Sequence, residues 1–229
     1  MNRKSQLLCA WCGPLMLATL GIGIVALAQF IPPPKASDSA QQVVDLYTAH
    51  PDRLRAGVTM IMVGGAFIAA FSAGISVQLK RIEGEHSPMT YTQLAAGAAN
   101  VIAVTISALI MIVASFRPER DPEITQALND LAWIPFVMYF SPLLVQCLSI
   151  GVAVFNGGDQ KVFPRWVGYF NFWAALLFMP AVLIPFFKTG PFAWHGVFEF
   201  WLAATVFFGW ILVMTVVQIR AVKAQSSTG

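Results

Sequence analysis

The stretch that decides the fold is Ala56–Leu79, AGVTMIMVGGAFIAAFSAGISVQL, which runs from Arg55 to Lys80 without a charged residue. A helix rises about 1.5 Å per residue, so this segment can cross a hydrocarbon core about 30 Å thick. Working outward, five more uncharged windows of 20 residues or longer appear: Ser5–Pro34, His86–Phe116, Leu131–Gly158, Trp166–Phe187 and Phe200–Ile219. Together the six windows take up most of the 229 residues. Only 11% of the chain is charged and 57% is apolar, against about a quarter charged in an ordinary soluble domain. A soluble globule is excluded, and too little polar chain remains for a separate catalytic module. The reading is an all-α, polytopic membrane helical bundle with six transmembrane helices. The expected spans are residues 7–31, 57–79, 91–116, 131–155, 166–187 and 196–219, in one membrane domain, with an outer loop at 32–56.

The first window has two readings. Arg3-Lys4, an apolar run and Ala26-Leu27-Ala28 before Gln29 also describe a secretory signal with its cleavage site. The uncharged stretch exceeds the usual signal core of about 7–15 residues, which favours a retained first helix; cleavage would leave five spans. With a cytoplasmic N-terminus, the inner segments carry Arg3, Lys4, Lys80, Arg81, Lys161, Arg165, Arg220 and Lys223. The outer ones carry Lys35, Arg53, Arg55, Arg117, Arg120 and Lys188. The bias places both termini in the cytoplasm; the acids lean outward, with Glu83, Glu85 and Asp159 inside against Asp38, Asp45, Asp52, Glu119, Asp121, Glu123 and Asp130 outside, but acids count for little in this rule. Trp11, Tyr91 and Trp166 are expected at the inner boundary and Trp133 and Trp194 at the outer one, while Trp173 and Trp210 pack within the bilayer.

Local signals fill in the connections. Pro32-Pro33-Pro34 is expected to stop span one, and Val43, Val44, Leu46 and Tyr47 at helical spacing predict a short surface helix over Ala40–His50. Tight turns at Lys80–Ser87 and Asn156–Arg165 join spans two to three and four to five. Asp121-Pro122-Glu123 reads as an N-cap, a first-turn proline and a first-turn acid, so span four begins outside the membrane. No internal repeat marks an inverted-symmetry transporter. Gly65, Ala69 and Ala73 form a small-residue ridge on span two, with Ala66, Ala70 and Gly74 beside it. Ala95, Ala99, Ala103 and Ser107 form another on span three. Such ridges serve close packing within the bundle or a homo-oligomer contact.

Polar groups within the bilayer are the candidate functional residues, because an unsatisfied amide is expensive there. Asn100, Gln146 and Asn171 all fall in the inner half by helical rise, so they are expected to meet. They form either an interhelical hydrogen-bond cluster or the lining of a pocket for a polar head group. Pro135 and Pro142 on span four and Pro180 and Pro185 on span five point to irregular helix, with a cavity or filled kinks, in the same half of the protein. Glu199, near the outer end of span six, is the carboxylate closest to a span interior, and His195 precedes it by four residues on what would be one helix face. On the outer side, Arg53 and Arg55 are expected to pair with Glu119, Asp121 or Glu123. Alternatively Arg53, Arg55, Arg117 and Arg120 recognise a partner or an anionic head group.

Several chemistries lack their parts. Net charge is +3 and unclustered, which argues against nucleic acid. Cys9, Cys12 and Cys147 sit in or beside apolar windows, where Cys9-Ala10-Trp11-Cys12 is a weak metal or dithiol signal. Central span histidines, an intramembrane lysine, His-Glu-x-x-His and Gly-x-Ser-x-Gly are all missing from the sequence, so no cofactor or metal is called for. Phe163-Pro164-Arg165-Trp166-Val167-Gly168-Tyr169, together with His50–Gly57, resembles a family of bacterial six-helix integral membrane proteins of unknown function. The resemblance implies six spans and a bacterial inner membrane; it brings no substrate or catalytic residue. Three functions fit the residues: binding or transport of a hydrophobic or amphipathic small molecule through a pocket among spans three to six, a scaffold or accessory subunit of a membrane complex, and a membrane enzyme using Glu199 and His195.

Overall fold

A computed structural model of the chain describes residues 2–157 and 162–225. Asp159, Lys161 and the middle of the turn expected at Asn156–Arg165 lie outside the described residues. Six helices are long and apolar enough to cross a membrane: Arg3–Leu27, Pro51–Glu83, Pro88–Phe116, Pro122–Asn156, Arg165–Phe186 and Val197–Ala224, here called spans one to six. No strand occurs among the described residues. Several spans outrun the uncharged windows because polar ends continue the helix past the hydrocarbon. Span two takes in Asp52, Arg53 and Arg55 at one end and Lys80, Arg81 and Glu83 at the other.

The first and last described segments of the chain lie on one side. Gln6 and Gln225 exchange side-chain hydrogen bonds of 3.4 and 3.0 Å, and Gln78 Nε2 donates to Gln6 Oε1 at 2.8 Å. Spans one, two and six are thereby tied together on this termini side. The turn between spans two and three is held there by Glu83, which accepts from the Met89 and Thr90 backbone amides at 3.1 and 2.7 Å. A carboxylate facing the exposed amides of a starting helix is favourable for both charge and hydrogen bonding.

On the far side the short helix runs over Ala40–Thr48 and opens with a capping box. Ser39 Oγ accepts from Gln42 N while Gln42 Oε1 accepts from Ser39 N. Its Tyr47 is fully buried and donates to Asn129 Oδ1 of span four at 3.2 Å. Burial pushes the Tyr47 phenol well above its ordinary pKa. Asp121 caps span four by accepting from Glu123 N at 2.8 Å, with Pro122 in the first turn, as its sequence implies. Span one ends at Leu27, before the three prolines, and Gln29 turns the chain in a left-handed conformation at φ 55°.

The expected clamp between arginines and the second far-side loop does not form. Arg53 Nη2 donates to the Ala26 carbonyl at 2.7 Å, and Arg55 donates to the Ser115 carbonyl and hydroxyl and pairs with Asp52 at 3.3 Å. Arg120 Nη1 donates to Val113 O at 3.0 Å, while Arg117 is exposed at the end of span three. The physical reason is proximity: helix ends expose unpaired carbonyls within reach of these side chains, and a guanidinium satisfies them without ordering a distant acidic loop. Trp133 is also not at a wet boundary; it is 1% exposed and packs edge-on against Phe30 and Phe136. Trp210 is buried between helices, while Trp173, 53% exposed, points outward.

Small residues set the helix spacing. A Cβ on Gly65 would lie 2.7 Å from Val104 of span three, and one on Gly97 would overlap Ser72 of span two. Gly23 and Gly57 bring spans one and two together, backbone to backbone. Thus Gly65 and Gly74 are spent on packing inside the bundle, whereas Ala66, Ala69 and Ala95 remain exposed on its surface.

Candidate functional site: a cavity open between spans one and six

The helices are regular in the termini-side half and irregular in the other. Span four breaks at Tyr139 into Pro122–Met138 and Phe140–Asn156. Pro142 explains the break, since its ring excludes the helical position of the carbonyl four residues earlier, that of Met138. Span five passes from α-helix into a 3₁₀ segment over Met179–Phe186, which begins beside Pro180 and contains Pro185. Two π-helical segments complete the set, Ile22–Leu27 at the end of span one and Val197–Leu202 at the start of span six. Such wide turns are short and occur frequently at functional sites.

All four irregularities border one cavity of about 610 Å3, within the roughly 300–1,000 Å3 range of small-molecule sites. The prolines of spans four and five pointed to this half of the protein, but the cavity is wider than a space between those two helices: every span lines it. Its wall is almost wholly apolar, drawn from both buried clusters of the bundle, with Phe71 and Trp210 from one and Ala181 and Phe200 from the other. The lining residues that stay exposed are Val25 and Ile31 after or on span one and Phe198, Trp201, Thr205 and Phe208 on span six. The mouth therefore lies between spans one and six in their far-side halves. On the termini side the same two helices are in contact, with Thr215 Oγ1 2.7 Å from the position a Gly13 Cβ would take and Gln6 bonded to Gln225.

Four of the wall residues are polar and buried or nearly so. Asn100 Nδ2 donates to Gln146 Oε1 at 3.1 Å, and Gln146 Nε2 donates to Ser72 Oγ at 3.0 Å, so spans three, four and two share one chain of hydrogen bonds at the cavity wall. Ser72 is a member that the amide-based reading of the sequence passed over; its place opposite Gly97 is what brings it within reach. Asn171 does not join them. It is fully buried elsewhere, accepting from Trp210 Nε1 at 2.9 Å and donating to the Val167 carbonyl at 2.8 Å. Helical rise counts distance along a helix and not direction around it, and the azimuth of Asn171 turns it toward Trp210 of span six. Asn171→Leu is therefore expected to strand the Trp210 N–H and lower stability by about 1–3 kcal/mol, read as a fall in Tm in detergent. Gln146→Leu should lower it less, since interhelical bonds in lipid average about 0.6 kcal/mol.

Glu199 is the fourth. It sits in the π-helical first turns of span six, is 1% exposed, lines the cavity, and neither carboxyl oxygen has a hydrogen-bond partner. His195 does not share its face, because the helix starts only at Val197 and His195 lies in the turn before it. There its Nδ1 accepts from Ala36 N at 3.1 Å, next to a Trp194 Nε1 bond to Pro34 O at 2.8 Å. The two groups clasp the segment after span one to the start of span six, and the acid–base pair expected of Glu199 and His195 is absent.

Desolvation lowers the His195 pKa, opposed by the Asp38 charge and assisted by Lys35. A folded pKa below the unfolded one means that the neutral ring stabilises the fold fully above about pH 6.5 and progressively loses that effect as the pH falls. Wild-type Tm should then fall more steeply than that of His195→Gln between about pH 7.5 and 5.5; parallel slopes would remove His195 as the cause.

Among the described residues no group of three His, Cys, Asp or Glu side chains is placed to hold a metal ion. Comparison of the chain with models of known families, with curated proteins and with solved structures finds no match.

Proposed function

We propose that this protein is a membrane binding or transport protein that admits a hydrophobic or amphipathic small molecule from the bilayer into the cavity among its spans. The observation that carries the reading is the lateral mouth: the exposed part of the wall belongs to spans one and six, which separate where both become π-helical and touch on the termini side. An apolar molecule in the hydrocarbon meets that opening without crossing water, and an apolar wall with a few convergent polar groups is the usual composition of such a site. Charge placement and the resemblance of its two short motifs support a bacterial plasma membrane with cytoplasmic termini.

An enzyme is less well supported, since Glu199 has no second titratable group at hydrogen-bond distance. The experiment is photolabelling of the protein in phosphatidylcholine nanodiscs with a dodecanol carrying a diazirine. Saturable labelling of Trp201, Phe208 or Val25 is expected. Labelling that never saturates and falls equally on outward residues such as Tyr169 and Leu176 would overturn the reading.

A further inference from the structure

Glu199 is the charge-bearing side chain on the cavity wall, and it has no donor of its own. A carboxyl group so deeply buried is normally paired, hydrogen-bonded or metal-bound, and intramembrane acids usually mark the path or seat of a ligand. The nearest element on the chain cannot supply a partner: His195 is engaged with Ala36 outside the cavity. Three basic groups of the far side are engaged at helix ends, Arg53 with Ala26, Arg55 with Ser115 and Arg120 with Val113, and neither these nor Lys35, Arg117 and Lys188 line the cavity. Around the carboxyl the wall is aromatic and aliphatic, with Phe198, Phe200 and Trp201 on the same turns. Aromatic faces beside an acid favour a cation over an anion or a neutral group.

We propose that Glu199 is the head-group acceptor of the site and that the molecule it receives is a lipophilic amine, bound with its protonated nitrogen at Glu199 and its apolar body along the cavity toward Asn100 and Gln146. The inference rests on the reading of the cavity as a ligand site and adds the chemical class of the ligand. The depth suits an elongated molecule. Counted at about 1.5 Å per residue, Glu199 lies near the far end of span six, while Asn100 and Gln146 lie about 15–18 Å from the termini-side ends of their helices. The two polar stations are therefore on the order of 20 Å apart along the bundle.

The test is competition against the diazirine-bearing dodecanol in phosphatidylcholine nanodiscs, whose zwitterionic surface carries no net charge to concentrate amines. Dodecylamine should displace the label at about one-tenth the membrane concentration that dodecanol needs, and dodecanoic acid should be the weakest. In Glu199→Gln the amine and the alcohol should come within about twofold of each other while labelling persists. Equal displacement by all three head groups in the wild type, or an amine preference that survives Glu199→Gln, would overturn the proposal. The wild-type ranking decides alone if that variant does not elute as a single species. Labelling that cannot be saturated removes the ligand reading itself, whereas saturable labelling without head-group preference removes only the role of Glu199.

Discussion

Gly57→Leu is expected to destabilise the protein by on the order of 3 kcal/mol and to prevent recovery of a monodisperse species in detergent. Gly57 sits where spans one and two cross. A Cβ there would fall 2.5 Å from the Ala28 amide nitrogen and 2.7 Å from the Gly23 carbonyl oxygen, and the reciprocal contact exists from Gly23. Both obstructions are backbone, so no rotamer change relieves them, and a leucine adds three more carbons to the same space. The helices would have to separate, losing the close packing that holds helices together where lipid offers no hydrophobic drive. They would also draw Ala26 away from Arg53. Gly209→Leu supplies the control: a Cβ on Gly209, within span six, meets nothing within 4 Å. Its helix should be unchanged or slightly strengthened, because glycine is a poor helix former. A Gly57→Leu protein with the Tm of Gly209→Leu would contradict the crossing.

This contrast also locates what was legible in the chain. Uncharged windows give the number and order of the helices because crossing a hydrocarbon layer is a constraint on composition and length, and both are written along the sequence. Asp121-Pro122 and the glycines Gly65 and Gly74 of span two are similarly local signals, and they perform the structural roles their chemistry implies, whereas Ala66, Ala69 and Ala95 of the same ridges stay on the surface. Ser39 and Gln42 carry a capping box that the same kind of reading can find, three residues apart ahead of an amphipathic turn. Partner choice is different in kind. Arg53 and Arg55 lie on the same side as Glu119 and Glu123, but which acceptor each reaches depends on how helix ends sit in space. Asn171 shows the same limit for rotation about a helix axis: depth follows from counting, while facing follows from packing.

The cavity is the least legible part, for a related reason. Prolines at 142, 180 and 185 announce disrupted hydrogen bonding in spans four and five. The two π-helical segments that border the mouth contain no proline, in Ile22–Leu27 or in Val197–Leu202, and their sequences, IGIVAL and VFEFWL, look like ordinary apolar helix. Glu199 stands out in the second only because it is charged. Its burial without a partner follows from the widened turn and from the aromatic wall, neither of which is encoded in spacing.

Ala103→Phe should abolish saturable labelling of the cavity, raising the probe concentration needed by at least about tenfold, while leaving Tm unchanged or higher. Ala103 lies one helical turn beyond Asn100 on span three, is buried, and its methyl group faces the cavity. An aromatic ring there fills space that the fold leaves open, so it adds contacts without displacing a packed neighbour, unlike the leucine at Gly57. Loss of binding with retained stability is a combination that damage to the bundle cannot produce. Ile106→Trp is the matched control, since Ile106 is one turn further along the same helix but faces outward at 48% exposure. Its added bulk meets lipid alone and should leave labelling as in the wild type. If Ala103→Phe and Ile106→Trp behave alike, the space between the spans is not where the molecule goes. The exposed surface of the bundle, as a scaffold for other membrane proteins, would then be the better account of what this chain does.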